Sequence, residues 1–285
     1  MIKGIILDID GVIIGQKIGL NSPTPHPDVI RALREIRLKG IFISLCTAKP
    51  HFAVDDIINL AKLDNLHISD GGSVIIDPIN SVVVKKFVIE KLIAKDIIKT
   101  YLENDVYIEF YNGEDYFIQK NQHSEITKKH LHILQRNPVE VDLLAIESTL
   151  NEITKIMPIA KDEKDKIRLA EIFKPFQSKL TLHWGIHPVA LPLQFGIITA
   201  PGISKKQGAI EIAKYYDVSF KDILGVGDST SDWEFIQLCS YAGAVGNASK
   251  ELKELIPQKG QGNFYIGKTV DENGILDIFS FFKAL

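Results

Sequence analysis

The chain has 285 residues, 45% of them hydrophobic and 24% charged, the balance of a folded globular protein with room for one large domain or two smaller ones. A formal net charge of −3 offers no basic field to a nucleic-acid backbone or to an anionic membrane surface. No apolar run approaches the roughly 18 residues that a membrane span needs.

The N-terminal segment Ile2–Ile9 is a nearly continuous apolar run closed by Asp8-Ile9-Asp10-Gly11, which reads as a buried, parallel strand. Its two acids are unlike a secretory leader. Beyond Pro23, Pro25 and Pro27, the helical spacing of Val29, Ile30, Leu33 and Ile36 predicts a helix, with Gly40 as its stop. Ile41–Leu45 is a second buried strand, and Pro50 opens a helix carrying Ile57, Ile58 and Ala61. Strand, helix, strand, helix begins a doubly wound α/β sheet.

The pattern then changes. Ser73–Ile76 and Ser81–Lys85 predict a strand pair, and Val106–Tyr111 with Tyr116–Gln119 predict a hairpin around Asn112-Gly113-Glu114-Asp115. Helices are expected at Lys91–Glu103, Ser124–Gln135 and Lys164–Lys174, and further strands at Leu180–Trp184 and Val189–Ile198. Hairpins mixed with helices indicate an α+β unit. After Pro201 the first pattern returns, with Ser204 capping a helix that bears Ala209, Ile210, Ile212 and Ala213, and with Ile223–Gly227 as another buried strand. The expected organisation is a core of residues 1–85 and 199–285 with residues 86–198 inserted. Cys46 and Cys239 lie in apolar stretches without metal-site spacing, so they read as two buried thiols, and a cytoplasmic protein is expected.

Four short segments carry chemistry. Asp8 and Asp10, one residue apart at the carboxyl end of a buried strand, sit where such sheets bind ligands. One carboxylate suits a nucleophile toward phosphorus and the other a general acid and base. Gly11 permits a tight turn and close approach to a phosphate. Thr47 and Ala48 follow the second strand and precede a helix, where a hydroxyl and backbone N–H groups suit a phosphate oxygen. Lys205, at a helix start, faces the macrodipole unfavourably unless an anion lies nearby. Asp228 ends a third buried strand with Asp232 one turn later, hard oxygen ligands of the kind Mg²⁺ takes. Alone, Asp8-Ile9-Asp10-Gly11 is equally an N-cap and turn, Thr47 and Asp228 or Ser229 read as helix caps, and Lys205 as a solvated surface lysine; together they converge only at one edge of a parallel sheet.

Asp8-Ile9-Asp10-Gly11, Thr47, Lys205 and Gly227-Asp228-x-x-x-Asp232 resemble the four ordered motifs of the haloacid dehalogenase superfamily. The insertion resembles the type IIB cap of Cof-type and sugar-phosphate phosphatases. The likeness extends through Asp70-Gly71-Gly72-Ser73, Val245-Gly246-Asn247-Ala248 and Asp271-Glu272-Asn273-Gly274-Ile275. It implies a Mg²⁺-dependent phosphatase of small phosphate esters, sugar phosphates foremost, working through an aspartyl-phosphate. Asp8 would be nucleophile and metal ligand, and Asp10 acid and base with its backbone carbonyl on the metal. Thr47 would hold the phosphoryl group, Lys205 would neutralise charge, and Asp228 would bind the metal with Asp232 as ligand or support. Thr47-Ala48-Lys49 departs from the family's Thr-Gly-Arg, Lys206 from a glycine and Ser231 from an asparagine. Within the insertion, His183, Trp184 and His187 are candidate contacts to the leaving group, against the plainer reading of a packed indole and solvated histidines. A phosphomutase and a catalytically silent binding protein on the same fold are the alternatives. The sequence leaves the oligomeric state open.

Overall fold

The computed structural model describes residues 2–145 and 149–285. Its strands are β1 (Gly4–Leu7), β2 (Phe42–Leu45), β3 (His67–Ser69), β4 (Val74–Asp77), β5 (Val82–Lys86), β6 (Ile108–Tyr111), β7 (Tyr116–Gln119), β8 (Val139–Val141), β9 (Lys155–Ala160), β10 (Thr181–Gly185), β11 (Gln194–Thr199), β12 (Ile223–Gly227), β13 (Tyr241–Ala244) and β14 (Phe264–Ile266). The apolar runs β1, β2 and β12 are buried at every residue, as strands covered on both faces must be. They join β13 and β14 in a five-stranded sheet of order β14-β13-β12-β1-β2, parallel throughout. The chain leaves β1 toward β2 on one side and returns to β12 on the other, so β1 and β12 flank the switch point where such sheets bind ligands. Helices Pro27–Leu38 and Lys205–Tyr215 bury Leu33, Ile36, Ala209 and Ile212 in the same apolar core as these strands.

The inserted region forms a six-stranded sheet of order β10-β11-β9-β6-β7-β8, antiparallel except between β7 and β8. The two-residue period of a strand sorts its side chains onto two faces. Ile108, Phe110, Ile156 and Ile198 share one apolar cluster with Ile97, Leu169 and Phe173 of helices Lys91–Glu103 and Glu163–Phe173. Tyr107, Tyr111, Met157 and Phe195 form another, which reaches Ala48, Phe52 and Ala53 of the core. The hairpin aromatics stack in pairs, Phe110 on Phe117 and Tyr111 on Tyr116. Thus the fold is a doubly wound parallel-sheet core with an inserted α+β unit. Among the described residues no helix is long and apolar enough to cross a membrane.

Two expected elements differ. The strand expected from Val189 begins only at Gln194, because Pro188–Ala190 is a 3₁₀ turn and Pro192 has no N–H for a ladder. The helix expected from Pro50 is a 3₁₀ turn at His51–Ala53, followed by an α-helix at Asp55–Ala61.

His67 on β3 is 1% exposed. Its Nδ1 accepts from the Leu45 N–H at 3.1 Å, so the neutral ring carries its proton on Nε2, 3.3 Å from the Leu63 carbonyl. Burial lowers its pKa from 6.5 to about 4. Between those values the unfolded chain binds a proton that the folded chain refuses, so stability present above pH 6.5 is lost as pH falls toward 4. The span corresponds to roughly 3 kcal/mol at most. His67→Asn is expected to flatten the urea-unfolding free energy against pH across this window. An unchanged slope would remove His67 as its source.

Candidate active site

β1 and β12 end side by side, and each is followed by an aspartate. Asp8 is buried, and its N–H donates to the Val226 carbonyl at 3.0 Å. Gly11, at φ +81°, closes the turn after Asp10, and a Cβ there would lie 2.0 Å from Asp228 Oδ2. Only glycine allows both that backbone and that approach. The Gly11 carbonyl accepts from Asn247 Nδ2 at 2.8 Å, which ties the turn to the loop after β13.

Lys205 enters from the first turn of helix Lys205–Tyr215, whose cap is Ser204. Its Nζ lies 2.8 Å from Asp8 Oδ1 and 2.6 Å from Asp232 Oδ1, with every partner nine-tenths or more buried. Asp232 fills a capping box with Ser229. Its Oδ2 accepts from the N–H of Asp228 at 3.0 Å, and from the N–H and hydroxyl of Ser229, each at 2.9 Å. Carboxylate oxygens of Asp8, Asp228 and Asp232 come within 4.8 Å of one another. Since both Asp232 oxygens are occupied by donors, Asp8 and Asp228 are the members freer to ligate.

Three carboxyls here face one lysine. Burial, then repulsion from Asp232, raises Asp8 to about 7 against the pull of Lys205. Burial, Asp232 and Asp8 push Asp228 well above the carboxylate range. Burial works against the Lys205 charge, but Asp232 and Asp8 outweigh it and raise its pKa. Left alone, the cluster carries too much negative charge to ionise fully, and a divalent cation with hard oxygen preference fits that deficit.

Asp10 stands apart from the cluster. Its Oδ1 lies 2.8 Å from Lys49 Nζ and 3.1 Å from His187 Nε2. Burial favours its neutral form, yet Lys49 and His187 outweigh burial and hold the carboxyl well below its ordinary value. His187 Nδ1 accepts from the Val189 N–H at 3.3 Å, so the proton of the neutral ring sits on Nε2, toward Asp10. The Asp10 carboxylate is thus engaged by Lys49 and His187, and the metal contact expected of Asp10 is through its backbone carbonyl. Thr47 is buried, with its Oγ1 accepting from the Lys49 N–H at 3.1 Å.

A cleft of about 410 Å³ opens over Asp8, Asp10, Thr47, Ala48, Lys205 and Asp228, with His183, Trp184 and Gln194 on its far wall. His183 Nδ1 lies 3.3 Å from Glu234 Oε1, and its Nε2 is buried without a partner. His187 is buried rather than solvated, and lines a smaller cavity of about 60 Å³ behind Asp10. The sequence reading missed Lys155, which also lines that cavity and is paired at 2.9 Å with Asp70. Burial lowers its pKa despite Asp70 and Glu109. The available signal was a lysine opening the apolar run Ile156–Ala160.

The family model of haloacid dehalogenase-like hydrolases matches residues 5–279, and the chain belongs to that family of enzymes. Phosphatase YwpJ of Bacillus subtilis is 23% identical over 96% of this chain and 97% of its own length. The chloroplastic endoribonuclease YBEY of Arabidopsis thaliana is 22% identical over 96% of this chain but only 45% of its own length. Among solved structures, a haloacid dehalogenase-like hydrolase from Bacteroides thetaiotaomicron superposes with TM-score 0.81 at 19% identity over the whole of both chains. A subclass IIB sugar phosphatase superposes with TM-score 0.79 at 19% identity over 99% of this chain and 100% of its own. At such identities the structures speak for the fold.

Proposed function

We propose that this hydrolase is a Mg²⁺-dependent phosphatase of small phosphorylated metabolites, sugar phosphates foremost, with residues 86–198 as its cap. The carrying observation is the cluster of buried Asp8, Asp232 and Lys205 with half-buried Asp228 at the floor of the cleft, and with Asp10 held separately beside it. Asp8 attacks the phosphorus, the ester oxygen departs, and an aspartyl-phosphate forms. Thr47 and Ala48 hold the transferring group, and Lys205 balances the charge it shares with Asp8. Asp8 and Asp228, with the Asp10 backbone carbonyl, would hold Mg²⁺, which supplies positive charge to the nucleophile and the phosphoryl oxygens. Asp232 keeps Lys205 and the Asp228 backbone in place.

Asp10, ionised between Lys49 and His187, is set as the base that takes a proton from the water attacking the aspartyl-phosphate. That proton then goes to the leaving oxygen of the next substrate, which requires Asp10 to loosen from Lys49 and His187 as substrate enters. On the cap wall Trp184 offers a flat apolar face, and His183 and Gln194 offer polar groups suited to sugar hydroxyls. The free, buried state of Cys46 and Cys239 supports a reducing, cytoplasmic setting.

Phosphate release from a panel of sugar and small-acid phosphates is expected with Mg²⁺, to disappear in EDTA, and to return when Mg²⁺ is restored. Turnover that persists in EDTA would refute the metal requirement. Isomerisation of a sugar monophosphate that needs a sugar bisphosphate and releases no inorganic phosphate would make the enzyme a mutase.

A further inference from the structure

We propose that Lys155 of the inserted region is a positioning residue for the phosphate-binding loop, so that this loop is complete only while the cap is docked. The inference rests on the phosphatase reading above and adds a residue to it. Three successive carbonyls of the loop are each held by a donor. Gly71 N–H bonds the Thr47 carbonyl at 3.0 Å and Asp70 N–H bonds the Lys49 carbonyl at 2.9 Å, both from the core. The middle carbonyl, of Ala48, receives Lys155 Nζ at 2.8 Å, a donor from β9 of the insertion. Fixing the plane of a peptide fixes its neighbour's N–H, so the aim of the loop depends on all three bonds.

The Lys155 site is built for one geometry. The side chain is fully buried, paired with Asp70 Oδ1 at 2.9 Å, and its Nζ lies 3.6 Å from the Tyr111 ring centroid. The adjacent Thr154 donates its hydroxyl to Asp70 Oδ2 at 2.9 Å. Asp70 is thus gripped twice, by the first residue of β9 and by the residue before it, while its own N–H holds the loop. A buried charge is costly unless every partner is in place, so the junction favours one docked position of β9 over intermediate ones. If the cap lifts, the Ala48 carbonyl loses its donor and the grip on Asp70 is released in the same movement.

The test compares wild type, Asp70→Asn and the pair Lys155→Met/Asp70→Asn. Methionine keeps the length of the chain without its charge, and asparagine accepts the φ of +50° at position 70. Removing both charges avoids the unpaired carboxylate that a single Lys155→Met would bury. Asp70→Asn leaves the Lys155 ammonium buried without its carboxylate, so it is expected to lower the melting temperature, while Lys155 Nζ still reaches the Ala48 carbonyl and phosphate affinity falls less than in the pair. The pair is expected to keep a cooperative thermal transition, yet to lose roughly 10- to 100-fold in inorganic phosphate affinity and to raise KM more than it lowers kcat. Amide exchange at residues 47–49 is expected to quicken in the pair. Wild-type phosphate affinity and wild-type loop exchange in a folded pair variant would overturn the role of Lys155. A wild type that neither turns over nor binds phosphate would instead overturn the phosphatase reading. Exchange needs no turnover, and still decides whether Lys155 holds the loop.

Discussion

Asp8→Asn is expected to bring phosphate release to background, a loss of about 10⁴-fold or more, without unfolding the protein. The substitution preserves the shape of the side chain and leaves Lys205 with Asp232, 2.6 Å away. It removes the oxygen anion that would attack phosphorus, and the other carboxyls have other work: Asp228, in the proposed reading, holds the metal. Asp10 is turned to Lys49 and His187, and Asp232 has both oxygens engaged. Because burial and Asp232 already make the Asp8 charge unfavourable, its removal should leave thermal stability in EDTA equal to wild type or above it. Activity and melting temperature measured on one preparation separate this outcome from misfolding. Activity that survived would end the nucleophile assignment.

The core was legible because burial on both faces writes long apolar runs, and because each run ends in residues with chemistry. Ile2–Ile9 and Ile223–Gly227 announce strands, and the parallel order that brings Asp8 beside Asp228 follows from the helices between them. The capping chemistry of Ser204 and of the Ser229–Asp232 box is local, and local signals survive in a single sequence. That Asp232 would spend its other oxygen on Lys205 was not legible, since that contact joins two helices.

The insertion was harder to read. β9 lies between β11 and β6 at the centre of its sheet, yet its sequence holds Pro158, which argues against a central strand. It also opens with Lys155, a residue almost never fully buried unless paired. The partners that make both tolerable are remote: Asp70 is 85 positions earlier, and Tyr107, whose carbonyl receives the Ile159 N–H, belongs to another segment. The burial of His187, a candidate contact whose plainer reading is a solvated histidine, is hidden for the same reason, because its partner Asp10 lies far away in the chain. Electrostatic pairing across such separations leaves no periodic mark.

Lys205→Met is expected to abolish turnover and to destabilise the metal-free protein by about 3–5 kcal/mol, the range for breaking a buried pair from one side. Lys205 is the cation that Asp8 and Asp232 share. Without it their mutual repulsion is relieved by taking up protons, so the folded carboxyl values rise further. The sign follows from linkage. Asp8 already titrates near 7 when folded against 3.8 for an ordinary aspartate. The folded state therefore binds more protons than the unfolded state between those values, and stability falls as pH rises through that window. The variant should widen the window upward, so its deficit in unfolding free energy, measured in EDTA, should be larger at pH 8 than at pH 6. Added Mg²⁺ should recover part of the deficit by restoring positive charge between the same carboxyls, as any ligand bound only by the folded state does. A deficit that is equal at both pH values and indifferent to Mg²⁺ would mean that Lys205 contributes packing alone, and that the crowding of Asp8, Asp228 and Asp232 is balanced by something else.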